Sequence, residues 1–239
     1  MPETEQLFRD DAYLSVCEAQ VVGVNDRGGI LLDRTNFYPT GGGQPGDSGK
    51  IERADGSVIE IATTVYGQDK SEIILVPTKT TSLDVGEAVT CHINWDRRHR
   101  LMRVHTAMHL LSAVLTYPVT GGSVGDGEGR LDFDIPDGGL DKQEITEKLN
   151  AIISQDHAVS FEWITDAELD ANPELVKTLS VQPPRSSGKI RLIRIGDNVD
   201  LQPCGGTHVS QTGEIGEIVI SKVEKKGRQN RRVRLKLVD

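Results

Sequence analysis

His105 and His109 stand four residues apart, and a second pair, Cys204 and His208, lies in the stretch Pro203-Cys204-Gly205-Gly206-Thr207-His208. On a helix, residues i and i+4 share a face one turn apart, so one ion can take both imidazoles. Three imidazoles and a thiol make a nitrogen–sulfur donor set. Such a set suits Zn2+ better than Ca2+ or Mg2+, which prefer oxygen. Either pair alone also fits ordinary core or surface residues. Together, with the second pair among glycines where the backbone can bend tightly, they point to a shared metal.

These side chains need elements to carry them. Around the first pair, Leu101, Val104, Met108, Leu111 and Leu115 recur at three- and four-residue steps, which predicts a helix capped by Asp96 and ended at Tyr117-Pro118. A glycine-rich loop is expected from Gly121 to Gly129, then a strand from Arg130 to Asp134 and a helix from about Asp141 to Gln155. Further strands are expected at Ala158 to Ile164, Ile190 to Ile195, Glu217 to Val223 and Arg232 to Leu237. Upstream of Trp95 the pattern is β: Val16 to Val24, Ile30 to Leu32, Ile51 to Arg53, Val58 to Thr64, Glu72 to Val76 and Glu87 to Ile93, with turn signals such as Asp55-Gly56. The reading is an α+β chain, with a small β-barrel over 1–94 and a mixed domain over 95–239.

Composition narrows the partners. No apolar run approaches the ~20 residues of a membrane span, and the N-terminus lacks the basic-then-apolar order of a signal peptide, so a cytoplasmic protein is expected. Cys17, Cys91 and Cys204 cannot all pair, and Cys17 and Cys91 read as small core residues. A net charge of -9 disfavours general attraction to nucleic acid, but Lys222 to Lys236 concentrates eight basic residues against Glu224 alone. Arg97, Arg98, Arg100 and Arg103 form a second basic cluster. Aromatic residues, at 4%, weigh against a base-stacking platform.

Arg103-Val-His-Thr-Ala-Met-His-Leu-Leu111 resembles the H-T-x-x-H-L-L helix of the alanyl-tRNA synthetase editing domain, and Cys204-Gly-Gly-Thr-His-Val209 resembles its C-G-G-T-H-V turn. Thr212-Gly-Glu-Ile-Gly216 extends the match, and Gly41-Gly-Gly-Gln-Pro-Gly-Asp-Ser-Gly49 is similar to its N-terminal glycine motif. The segments occur in family order. A synthetase also needs an aminoacylation domain, for which 239 residues leave no space. Neither Lys50 nor Lys189 completes a phosphate loop, so no ATP is expected. The chain is therefore similar to AlaX, the free-standing editing relative, in its longer form with an N-terminal barrel.

The resemblance implies a zinc-dependent hydrolase that deacylates mischarged tRNA(Ala), with Zn2+ on His105, His109, Cys204 and His208. Serine is the better substrate and glycine the second, because a site built to bond serine's hydroxyl leaves that group unpaired with alanine. The aminoacyl ester and acceptor end would meet Gly42, Gly43, Gln44 and Thr106, and RNA phosphates would meet Arg130, Arg231 and Arg232. Asp47 reads as a loop hydrogen-bonder. No residue stands out as a general base. Four protein ligands normally close a tetrahedral site, whereas catalytic zinc keeps a position open. Polarising, water-activating, orienting and structural roles are therefore all open, as is the oligomeric state. Two other readings remain. One is a different zinc hydrolase, although Thr106 stands where H-E-x-x-H requires glutamate; the other is a non-catalytic RNA-binding module with structural zinc.

Overall fold

The computed structural model describes residues 3–68, 71–136, 139–178 and 188–238. The chain divides into two compact units, Met1–His99 and Arg100–Asp239, a division that falls inside a helix. The first unit holds β1 (Glu5–Gln6), β2 (Val16–Val24), β3 (Ile30–Leu32), β4 (Arg34–Thr35), β5 (Gly49–Arg53), β6 (Val58–Tyr66), β7 (Ile73–Pro77) and β8 (Ala88–Ile93). Six of these strands close a barrel in the order β2-β3-β7-β6-β5-β8. Alternation supplies its core: Ile59 and Ile61 of β6 are buried while Val58 and Glu60 are exposed. Ile30, Leu32, Ile51, Ile73, Leu75 and Cys91 are wholly enclosed. Cys17 faces Cys91 across β2 and β8; both are free thiols, Cys91 within the core and Cys17 only partly buried against it.

The glycine motif lies in this unit. Gly41 and Gln44 exchange both backbone hydrogen bonds, at 2.9 and 3.0 Å. Between them Gly42 and Gly43 take φ of +57° and +83°. Positive φ at both central positions is the pattern of a tight type I′ turn, which explains why neither carries a side chain. Asp47 accepts from the Tyr38 N–H at 2.6 Å and is ion-paired with Arg98, both groups fully enclosed. Arg98 also donates to the carbonyls of Ala12 and Asn36. Arg98 is thus a structural cross-link and no part of an exposed basic cluster. Arg97 donates to the Gly46 carbonyl at 2.9 Å.

From the boundary onward come α1 (Trp95–Val114), β9 (Val119–Val124), β10 (Glu128–Asp134), α2 (Lys142–Ile153), β11 (Val159–Thr165), α3 (Asp166–Ala171), β12 (Lys189–Ile195), β13 (Asp200–Pro203), β14 (Ile218–Lys225) and β15 (Asn230–Leu237). They build an antiparallel sheet β14-β15-β10-β9 and a three-stranded sheet β11-β12-β13, an α+β arrangement. The cap of α1 is Asn94, whose side chain accepts from the Arg97 N–H, and not Asp96, which sits within the first turn. The stretch expected as a glycine-rich loop is a hairpin of β9 and β10, since Gly121 and Gly122 pair with Asp132 and Leu131. A Cβ on Gly129 would come within 2.7 Å of Met108 and Val104 side chains of α1. Glycine is there so that the helix can lie close against the sheet. α2 is capped by Asp141 and turns Ile145, Leu149 and Ile153 inward.

Candidate metal centre

α1 is buried on most sides: Leu101, Met102, Val104, Ala107, Leu110 and Leu111 are all at 0% exposure. A helix enclosed in this way can hold two imidazoles in a dry site. His105 and His109 project from it one turn apart, and β13 ends at Pro203 so that Cys204 opens the loop leading to His208. The ligand atoms of these four residues all lie within 4.8 Å of one another; the three histidines are buried and Cys204 is partly exposed. Cys204 Sγ lies 3.5 Å from His105 Nε2 and 3.4 Å from His208 Nε2. A tetrahedral zinc holding thiolate and imidazole at ordinary bond lengths would set sulfur and nitrogen about 3.6 Å apart. The donor set and its spacing therefore fit a zinc ion, and the cluster could hold one.

A second layer orients the rings. His109 Nδ1 donates to Asp200 Oδ2 at 3.0 Å, and Asp200 is also ion-paired with Lys177. The Gln202 amide donates to Asp200 Oδ2 at 2.7 Å and to Ser112 Oγ at 3.0 Å, which uses both of its protons. Thr106 donates to the Met102 carbonyl at 2.9 Å, so its oxygen accepts from His208 Nδ1 at 3.1 Å. In both histidines the proton on Nδ1 leaves the Nε2 lone pair free to face a metal. The loop is pinned from below by Arg191, whose carbonyl takes the Cys204 N–H and whose guanidinium donates to the Gly206 carbonyl at 2.9 Å.

Two family models match the chain: "Threonyl and Alanyl tRNA synthetase second additional domain" over residues 190–234, and "tRNA synthetases class II (A)" over residues 11–97. The alanyl-tRNA editing protein AlaX-M of Methanosarcina acetivorans is 36% identical, with 99% of this chain and 100% of the relative covered. That of Saccharolobus solfataricus is 35% identical over 96% of this chain and 97% of the relative. The chain belongs to the AlaX family. An alanine–tRNA ligase of Halobacterium salinarum is 37% identical over 94% of this chain, which spans 25% of the ligase. A stretch similar to this chain thus also occurs as one segment of a longer synthetase.

Electrostatics at this AlaX-type centre favour ligation by Cys204 and His208. Burial resists ionisation of Cys204, but the His105 and His208 rings beside it outweigh that and hold the thiol well below its ordinary range. Burial, with His105 close by, keeps His208 neutral far below the usual imidazole value. Burial also pushes His109 down, yet its bonds to Asp200 and Cys204 prevail and raise it to about 9, so metal binding at this ring must displace the Nε2 proton. Asp200 is held below the carboxylate range: burial works against this, while His109 and Lys177 prevail.

The other residues singled out in the sequence are placed differently. Thr106 is fully enclosed, with its hydroxyl engaged by Met102, His208 and the Val209 N–H. Gln44 is enclosed in the first unit, beside the Gly42-Gly43 turn. Asp132 accepts from Arg130 at 2.7 Å and from Arg232 at 2.7 and 2.8 Å, so both arginines lie on one face of the sheet. Arg231 opposes Phe133 in the register and points to the other face, its guanidinium turned to the carbonyls of Gly227, Arg228 and Asn230. Arg234, Lys222 and Lys226 all pair with Glu224, so much of the basic stretch is internally compensated. Arg100 pairs with Asp126, and Arg103 donates to the Ile215 carbonyl. Asp200, Lys177 and Gln202 were not singled out from the sequence. The available signal was slight: Gln202 and Asp200 stand two and four residues before Cys204, on one face of a strand.

Proposed function

We propose that this chain is a trans-acting, zinc-dependent hydrolase that removes wrongly attached amino acids, serine first and glycine second, from tRNA(Ala). The observation that carries this reading is the buried cluster of three imidazoles and one thiol, found in a chain whose full-length relatives are named alanyl-tRNA editing proteins. Zinc held by His105, His109, Cys204 and His208 would supply a Lewis acid beside the ester carbonyl. The chain's own residues do the positioning. Asp200 and Thr106 hold the two ring protons away from the centre, Lys177 keeps Asp200 ionised, and burial excludes bulk water. Cys204 is the partly exposed ligand, so the substrate approaches from its side. An aminoacyl ester is already labile, and orientation accounts for much of the acceleration.

In this reading the Gly42-Gly43 turn meets the substrate, Gly42 offering open backbone with nothing within 4 Å of where a Cβ would stand. Gln44, enclosed behind the turn, and Thr106, beside His208, are the further substrate residues. Arg130 and Arg232 on one sheet face, and Arg231 on the other, are the proposed phosphate contacts. Residues 1–94 form the barrel part with the glycine motif and 95–239 the editing part, working in the cytoplasm without ATP. Among the described residues no helix is long and apolar enough to cross a membrane. The test is release of labelled amino acid from Ser-tRNA(Ala), Gly-tRNA(Ala) and Ala-tRNA(Ala). Serine is expected to be released fastest and alanine slowest, with activity lost on metal removal and restored by zinc. No release from any of the three would overturn the reading in favour of a binding module.

A further inference from the structure

β11 is an edge strand of its three-stranded sheet. Its alternation sends Phe161 and Trp163 to one face and Ile164 to the other, where Ile164 packs with Leu169, Ile190 and Leu192. The Phe161 face continues across the sheet toward the metal cluster. Phe161 is in register with Ile193 and Ile193 with Gln202, whose amide lies in the shell around His109. Trp163 is in register with Arg191, whose carbonyl receives the Cys204 N–H. Two rows of side chains therefore run from an aromatic at the sheet edge to the metal centre, across two strand spacings, or about 10 Å. That is the scale of one nucleoside with its acyl group.

The two residues are each 39% exposed, although large aromatics on one face of a sheet ordinarily find cover. Arg191 fixes Phe161 in place, its guanidinium carbon 4.7 Å from the ring centroid, while the same guanidinium holds the Cys204–Gly206 loop. Lys189, exposed and next along the same face of β12, supplies positive charge beside Trp163. We propose that Phe161 and Trp163 are the stacking platform for the terminal nucleobase of the RNA whose ester is presented to the metal centre. Lys189 meets the adjoining phosphate. This rests on the hydrolase reading above and adds the group that recognises the nucleotide. The low aromatic content pointed the other way, but a platform needs only two rings in the right place.

The test uses the whole protein with Trp95→Phe as background, which leaves Trp163 as the only indole. The probe is an RNA minihelix of the tRNA(Ala) acceptor stem ending in CCA, compared with one lacking the terminal adenosine. Trp163 fluorescence is expected to be quenched by the first and far less by the second. With serine-charged minihelix, Trp163→Ala and Phe161→Ala should each raise KM about tenfold or more with little change in kcat. Trp163→Phe should recover most of the loss, and zinc content should equal that of the parent. An unchanged KM in Trp163→Ala, or equal quenching by both minihelices, overturns the platform. If the parent quenches with the CCA end yet releases no amino acid, the hydrolase reading falls and the platform stands as an RNA-end site. If the parent hydrolyses normally without quenching, the platform alone falls.

Discussion

The hydroxyl of Thr106 does for His208 what the carboxylate of Asp200 does for His109: each accepts a hydrogen bond from Nδ1–H and turns Nε2 toward the cluster. Such partners commonly contribute 10- to 100-fold to metal affinity. Asp200→Asn is therefore expected to weaken zinc retention roughly 10- to 100-fold, read by competition against a chelator, while the circular dichroism spectrum stays native. Thr106→Val should weaken retention and Thr106→Ser should restore it, since the serine hydroxyl can make the same bond. Cys204→Ala removes a ligand outright and should lose most of the bound zinc. Full zinc content in Cys204→Ala, measured by elemental analysis, would remove Cys204 from the ligand set.

At the level of elements, α1 can bring its histidines to the centre only because it lies close against the sheet of β9 and β10. Gly129→Ala should push Met108 and Val104 back and destabilise the fold by about 1–3 kcal/mol, measured by urea unfolding. The outer face of that sheet depends on charge. The Arg232 guanidinium, together with Arg130, holds Asp132 below the ordinary carboxylate range. A folded-state pKa below the unfolded value of about 3.9 gives stability that is present above that pH and lost as pH falls through the depressed value. Acid titration followed by circular dichroism should therefore show a loss below about pH 4 in the parent that is smaller in Asp132→Asn, which lacks that contribution at every pH.

For the whole molecule, the net charge of -9 means that any grip on RNA must be local. The pairs around Asp132 and Glu224 already absorb much of the basic stretch. If Arg130 and Arg232 also meet phosphate, replacing both with glutamine should flatten the log–log salt dependence of tRNA binding by roughly 0.7–0.9 per lost contact. Zinc content should be unchanged, and deacylation should recover near saturating tRNA. An unchanged slope with normal activity returns these residues to a purely structural pairing.

Patterns of two, three and four residues made much of this protein legible before folding. The period of the barrel strands and of the second helix is written in local alternation, and His105 with His109 needs only a helix to become a pair. The Cys204 turn was equally readable, because donor type and glycine content are properties of adjacent residues. What local pattern does not carry is which distant elements meet. Ninety-five residues of sequence separate His109 from Cys204, by simple difference of their positions, and only the packing of β13 against α1 joins them. The same holds for Asp200 and Lys177, polar residues whose partner lies on another element. Charge was the most misleading signal. Arg98 and Arg232 counted as surface cations in the sequence, yet folding placed a carboxylate against each, and Arg231 and Arg232, adjacent in sequence, were sent to opposite faces of a strand. Sequence determines a residue's type and its local face; tertiary structure decides whether its charge and its ring meet solvent, a partner or a ligand.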